Sequence, residues 1–194
     1  MNLHSIDSSN HVVLWIMVPS ILIWVGMEIR QGLTRRPEGV KAKRGSPIFI
    51  RIIVAIGVGV SVLLNHAYPN THIWSGFGWV ALGTLECGIA LRLWSFHTLG
   101  RYFTFTVQTS ADQPVITAGP YSVIRHPGYA GIILAYMSAL IIATNWWFVL
   151  GVGGALLAAL VFRITVEERA LLRELGAPYQ EYAATHKRLV PFIW

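Results

Sequence analysis

Charge is scarce in this sequence, and cysteine nearly absent. Of 194 residues 12% are charged and 54% hydrophobic, with a mean hydropathy of +0.54, whereas an ordinary soluble domain carries about 25% charged residues. That excludes a water-soluble globular domain and implies an integral membrane protein. The single cysteine, Cys87, excludes an intrachain disulfide and a cysteine-built zinc site, and in its apolar run it is expected to pack. None of the seven histidines has a partner at HxxxH or HxxH spacing, so no iron site and no metal is expected. The net charge of +6 does not form the interleaved basic surface of a nucleic-acid binder. Its basic residues cluster between apolar runs, where membrane orientation accounts for them. Lys and Arg are missing before Val12, so no signal peptide with a basic leader is expected. No internal repeat is detectable.

What is present is a series of apolar runs. The pattern predicts an all-α membrane domain over residues 1–194, with five spans at about 12–29, 48–64, 73–94, 129–144 and 146–162. Between the first two spans lie Arg30, Arg35, Arg36, Lys41, Lys43 and Arg44 against Glu38, a loop the positive-inside rule places in the cytoplasm. The N-terminus is then outside and the C-terminus cytoplasmic. The 66–72 loop has no Lys, Arg, Asp or Glu, as an outer loop should. Within the third span Glu86 lies deep, where an acid needs a structural hydrogen bond or a functional role, and Arg92 is placed to snorkel or pair. The connection from Ser95 to His126 is long and polar and holds short β-like runs, so a functional loop is expected. Spans four and five form a hairpin turning at Asn145, and Gly151, Gly153, Gly154, Ala155, Ala158 and Ala159 offer a small face for packing the two together. The fifth helix should run on to Gly176 as its C-cap, and Pro178 should open a last short helix whose Tyr179 and Tyr182 fold back on the membrane face.

The chemistry gathers at Gly119 to Gly131, GPYSVIRHPGYAG. Pro127 suits the first turn of a helix and pushes His126 towards an extended conformation, so span four should start there. The first N–H groups of such a helix form an anion site, Gly128 permits close approach to the backbone, and Tyr121, Arg125, His126 and Tyr129 surround the same point. The hairpin returns span five to this interface, bringing Arg163 and Glu167 nearby. Their spacing also fits a mere surface ion pair on one helix face. The constellation offers donors to an anion, an acid to an amine and aromatics to a flat ring, half in water and half in lipid.

The run Gly119 to Gly131, then Arg163 with Glu167 and Glu168 four and five residues on, then Gly176, Tyr179 and Tyr182, resembles the isoprenylcysteine carboxyl methyltransferases. The resemblance covers roughly the C-terminal half. It implies an S-adenosylmethionine-dependent enzyme that methylates the carboxylate of a lipophilic, prenylcysteine-like substrate entering from the bilayer. It also implies a cofactor site at Gln108, Val115, Ile116, Tyr121, Arg125, His126, Pro127, Tyr129 and Glu167, with Arg163 on the substrate carboxylate. The chain departs from the eukaryotic members at Gln113 and Pro114, where a His-Thr pair is common, and has fewer N-terminal spans. Rival readings are a phospholipid N-methyltransferase, which shares an RHPxY run, a sterol-reductase-like enzyme using NADPH, and a non-enzymatic membrane protein.

Overall fold

The computed structural model describes residues 8–33, 46–68, 77–100, 114–143 and 145–191. Among these the chain is helical, with α1 at Ser8–Leu33, α2 at Ser46–Ala67, α3 at Gly78–Leu99, α4 at Pro127–Ala143, α5 at Trp146–Leu175 and α6 at Ala177–Thr185. Local signals account for the boundaries. Pro127 opens α4, and the N–H groups of Tyr129 and Ala130 donate to the His126 carbonyl, each at 3.1 Å. Asn145 caps α5, its Oδ1 accepting from the N–H groups of Trp147 at 3.1 Å and Phe148 at 3.4 Å. Gly176 ends α5 at φ 59°, a left-handed value that glycine reaches without strain, and Pro178 lies in the first turn of α6. Val149–Gly153 is wound as one π turn within α5.

The expected start of the long connection needs correction. Helix α3 runs to Leu99, so Ser95 to Leu99 complete its last turn and do not belong to the connection. Leu85, Ile89, Arg92 and Phe96 keep one buried face at helical spacing through that point. Of the stretch expected to hold short β-like runs, residues 101–113 lie outside the described residues, and 114–118 form no strand. Ile124 and Lys187 form a parallel β bridge.

The small faces pair helices that are not sequence neighbours on the expected hairpin. A Cβ on Gly151 would lie 3.0 Å from the Gly57 carbonyl, and one on Gly57 would lie 2.6 Å from the Gly151 carbonyl, so α5 closes on α2. Ser61 Oγ reinforces the crossing, lying 2.7 Å from the Gly57 carbonyl and 3.1 Å from that of Trp147, and Asn145 Nδ2 donates to Asn65 Oδ1. On the α4 side, Gly153 faces the Met137 sulfur. Helix α4 instead closes on α3, since a Cβ on Gly131 would lie 2.6 Å from the Gly88 carbonyl and 2.8 Å from the Arg92 nitrogen. Helix α1 covers this pair through Val13, Met17 and Trp24 against Leu82, Leu85, Ile89 and Ala135.

Arg92 pairs instead of snorkelling: its Nε donates to Glu28 Oε1 at 2.8 Å, which also accepts from Trp24 Nε1 at 3.1 Å. Glu86 Oε1 is buried with no hydrogen-bond partner among the described residues, so the structural bond considered for it is not formed there. Cys87 is exposed, not packed. Trp15, Leu22, Leu63, Val80 and Leu150 are between 63% and 78% exposed, an outward apolar surface of the kind lipid covers. Val12–Arg30 and Trp146–Leu175 are long and apolar enough to cross a membrane, and Ile52–Ala67 and Pro127–Ile142 are shorter apolar helices. Helix α3, expected as the third span, is not among them.

Candidate active site

The site is assembled where α4 begins. Upstream, a 3₁₀ turn at Gly119–Ser122 passes over the end of α3. Gly119 has φ 56°, and a Cβ there would lie 2.9 Å from Thr98 Oγ1, so both backbone and space require glycine. The turn buries Tyr121, whose carbonyl accepts from the Tyr182 hydroxyl at 2.6 Å. Burial pushes the Tyr121 phenol up, with Glu167 adding to the rise and Arg92 opposing it. Pro127 is fully buried. Gly128 lets α4 approach α3 closely, because a Cβ there would lie 2.9 Å from Arg92 Nη1.

Two acids on α5 organise what surrounds this point. Tyr129 Oη donates to Glu167 Oε2 at 2.5 Å and accepts from Arg163 Nε at 2.7 Å. One phenol of α4 thus stands between two charged groups of α5, and the pair is more than a surface contact along one helix. The His126 and Tyr129 rings stand 5.7 Å apart. Glu168, one residue on, faces the other way round the helix. Its Oε1 accepts from Arg125 Nε at 2.8 Å and lies 3.1 Å from His126 Nε2, while its Oε2 accepts from Arg188 Nε at 2.7 Å. Burial would raise the Glu168 pKa, but hydrogen bonds from His126 and Arg188, reinforced by the charges of His126 and Arg125, hold it at about 2.

The same groups tie down the C-terminal segment. The N–H of Arg125 donates to the Lys187 carbonyl at 2.8 Å and that of His126 to the Arg188 carbonyl at 2.9 Å. Arg125 Nη1 donates to the carbonyls of Ala183 at 2.5 Å and His186 at 2.9 Å. The guanidinium of Arg125 therefore anchors Glu168 and the end of α6. Tyr179 and Tyr182, at 5% and 8% exposure, fold back against this network instead of a membrane face.

Of the residues singled out from sequence, Tyr121, Arg125, His126, Pro127, Tyr129, Arg163 and Glu167 gather around the start of α4. Val115 and Ile116 lie half-buried in the extended stretch 114–117 leading to the turn, and Gln108 is outside the described residues. Glu168, Arg188, Tyr179 and Tyr182 were not assigned to the site. The adjacent acids carried the available signal, since residues i and i+1 stand about 100° apart on a helix and so serve different partners.

Comparison with known proteins fits this arrangement. Residues 79–173, from α3 into the part of α5 that carries Arg163, Glu167 and Glu168, match the isoprenylcysteine carboxyl methyltransferase (ICMT) family. Over that stretch, just under half of its length, the chain is similar to the family. A relative in Arabidopsis thaliana, protein-S-isoprenylcysteine O-methyltransferase B, is 29% identical over 63% of this chain and 62% of its own length. Methanethiol S-methyltransferase 2 of Bradyrhizobium diazoefficiens is 28% identical over 64% of this chain and 51% of its own. A solved structure, the eukaryotic intramembrane Ras methyltransferase ICMT, superposes with a TM-score of 0.58 at 27% identity, covering 78% of this chain and 55% of that one. The matched region spans less than two thirds of each of these proteins. The all-helical ICMT-like fold is common to this chain and the solved structure.

Proposed function

We propose that this chain is an integral membrane methyltransferase that uses S-adenosylmethionine to methylate the carboxylate of a lipophilic, prenylcysteine-like substrate at the cytoplasmic face. The observation that carries the reading is the Arg163–Tyr129–Glu167 bridge, which sets a cation and an acid side by side at the junction of α4 and α5. In this reading the chain crosses the membrane five times with its N-terminus outside, and the site lies on the cytoplasmic side, where the cofactor is supplied.

The residues present fit the cofactor. Its zwitterionic amino-acid end needs an acid for the amine and cationic or N–H donors for the carboxylate, and its flat ring needs aromatic walls. Glu167 is the acid. The start of α4 with His126, the buried ring of Tyr121 and the half-buried ring of Tyr129 supply the rest. When bound, S-adenosylmethionine supplies a sulfonium methyl that passes to the carboxylate oxygen as its carbon–sulfur bond breaks. A carboxylate is already ionised near neutral pH, so the protein needs no strong base and acts by alignment and exclusion of water. Arg163 orients the substrate carboxylate through the oxygen that does not attack, since gripping the attacking oxygen would blunt it. Its Nε is held by Tyr129, which fixes the guanidinium plane. The lipophilic tail enters from the bilayer between helices.

Binding of radiolabelled S-adenosylmethionine and of NADPH to the purified protein tests the class. Saturable S-adenosylmethionine binding with methyl transfer to a soluble prenylcysteine analogue is expected. Binding of NADPH alone would overturn the reading in favour of a reductase, and transfer to an amine or a small thiol in place of the carboxylate would overturn the assigned acceptor.

A further inference from the structure

Helix α1 packs on α3 and α4 through apolar side chains, Val13, Met17 and Trp24 against Leu82, Leu85, Ile89 and Ala135. One turn further along the same face of α3 the contact changes character. Arg92 is 4% exposed, and Glu28 of α1 grips its guanidinium along one edge, Nε donating to Oε1 at 2.8 Å and Nη2 to Oε2 at 3.3 Å. The guanidinium stacks over Phe96, with Cζ 4.4 Å from the ring centroid. Its other corner, Nη1, abuts the first turn of α4, 2.9 Å from where a Cβ on Gly128 would stand, and a Cβ on Gly131 would meet the Arg92 backbone nitrogen at 2.8 Å. Packing alone does not account for a charged pair at this place. A buried ion pair can often be exchanged for apolar side chains of similar volume at no loss of stability, and a cation beside the positive, N-terminal end of a helix is unfavourable for that helix.

We propose that Arg92 is a positioning residue for the methyl-donor site, its guanidinium a spacer that sets the first turn of α4 at the place where Glu28 holds it. Arginine suits this task. Its rigid planar fork can bond Glu28 along one edge while a second corner reaches α4, which a lysine ammonium on a flexible stem cannot do. Gly128 stands two residues from His126 and next to Tyr129, so a shift of this turn moves both. His126 Nε2 would leave its place 3.1 Å from Glu168, and Tyr129 Oη its place between Arg163 and Glu167. Arg92 therefore acts on the donor through α4, without touching it. Helix α1 becomes part of the site by this route, although Glu28 lies outside residues 79–173, the stretch similar to the ICMT family. This inference rests on the methyltransferase reading and assigns a support to that same site.

Calorimetry with S-adenosylhomocysteine on the purified full chain separates positioning from bracing, because a merely structural loss lowers the fraction of competent sites and leaves the affinity of those that remain. In the double variant Glu28→Gln with Arg92→Met both charges leave together, so no buried charge is stranded and Trp24 keeps an acceptor. Its affinity should fall by about 10-fold to 100-fold, the scale of a misplacement of about 1 Å. Glu28→Gln alone keeps the guanidinium but weakens the grip on it, and should cost about 3-fold to 10-fold. The double variant should bind no worse than Arg92→Met alone, because Glu28 acts through Arg92. Met17→Ala loosens the apolar contact of α1 and spares the ion pair, so it should lower the melting temperature with the affinity unchanged. Wild-type affinity in Glu28→Gln and in the double variant would overturn this inference and leave the methyltransferase reading standing; where the double variant does not fold, Glu28→Gln decides alone. A loss in Met17→Ala as large as in the double variant would assign the effect to a loosened α1 and overturn the inference too. A further loss on adding Glu28→Gln to Arg92→Met would overturn the coupling through Arg92. Failure of wild type itself to bind S-adenosylhomocysteine would overturn the methyltransferase reading and this inference with it.

Discussion

Replacing Tyr129 by phenylalanine deletes one oxygen from the centre of the site and tests whether the bridge matters. That oxygen accepts from the Arg163 guanidinium at 2.7 Å and donates to the Glu167 carboxylate at 2.5 Å. Hydrogen bonds to charged groups contribute about 1.5–3 kcal/mol each, so the two together bound the loss at about 3–6 kcal/mol. Some is recovered, because Arg163 and Glu167 share one helix face and can close directly on each other, an exchange worth about 0.3–0.5 kcal/mol. A net loss of about 2.5–5.5 kcal/mol remains, or roughly 70-fold to 10,000-fold if all of it falls on kcat/KM. The direct pair also neutralises the cation proposed to hold the substrate, so the KM for a soluble prenylcysteine analogue should rise as kcat falls. Steady-state methyl transfer reads both, and a thermal melt reports how much of the loss went to stability. A kcat/KM within threefold of wild type would refute the reasoning, because the bridge would then be a brace between helices.

The two ends of the bridge should separate: Glu167→Ala is expected to abolish cofactor binding, while Arg163→Ala binds cofactor nearly normally and fails to turn over. Each loss is about 2–5 kcal/mol, against about 0.2–1 kcal/mol for a surface ion pair, and calorimetry alongside methyl-transfer assays distinguishes them. Glu168 is held from its ordinary 4.5 at about 2, so its contribution of about 3 kcal/mol is fully present above pH 4.5 and is lost as pH falls towards 2. Glu168→Gln should lower stability at pH 7 by about that amount and flatten the acid limb of a stability–pH curve; an unchanged limb would count against the network. Single cysteines replacing Lys41 and Asn70 in a Cys87→Ala background should label with an impermeant maleimide in intact cells only at position 70, and labelling at 41 would invert the topology.

Helix ends were legible in the sequence because their causes are local. Pro127, Asn145 and Gly176 each act within a turn of where they stand, and each marks the boundary expected of it. Helix pairing was not legible. In lipid the small faces decide which helices close, and glycines on α2, α3, α4 and α5 allowed several matchings. The order of the chain favoured packing α5 on α4, whereas the complementary surfaces join α5 to α2 and α4 to α3. The Glu28–Arg92 pair, 64 residues apart in the chain, depends on that choice and could not precede it.

The site follows the same division. Arg163 and Glu167 were readable because one helical repeat relates them, and the return of α5 to the start of α4 brings Tyr129 between them. Glu168 was quoted beside Glu167 but given no partner, because its ligands come from two distant places: Arg125 and His126 before α4, and Arg188 near the C-terminus. A doublet of acids on one helix is ambiguous until both neighbours are known. Here its two members divide the work by direction. Glu167 turns towards the bridge that the proposed chemistry uses, and Glu168 turns towards the frame that holds His126 and closes α6 over it. That division explains why two adjacent acids of the same chemistry should fail differently when replaced, one in ligand binding and the other in acid stability.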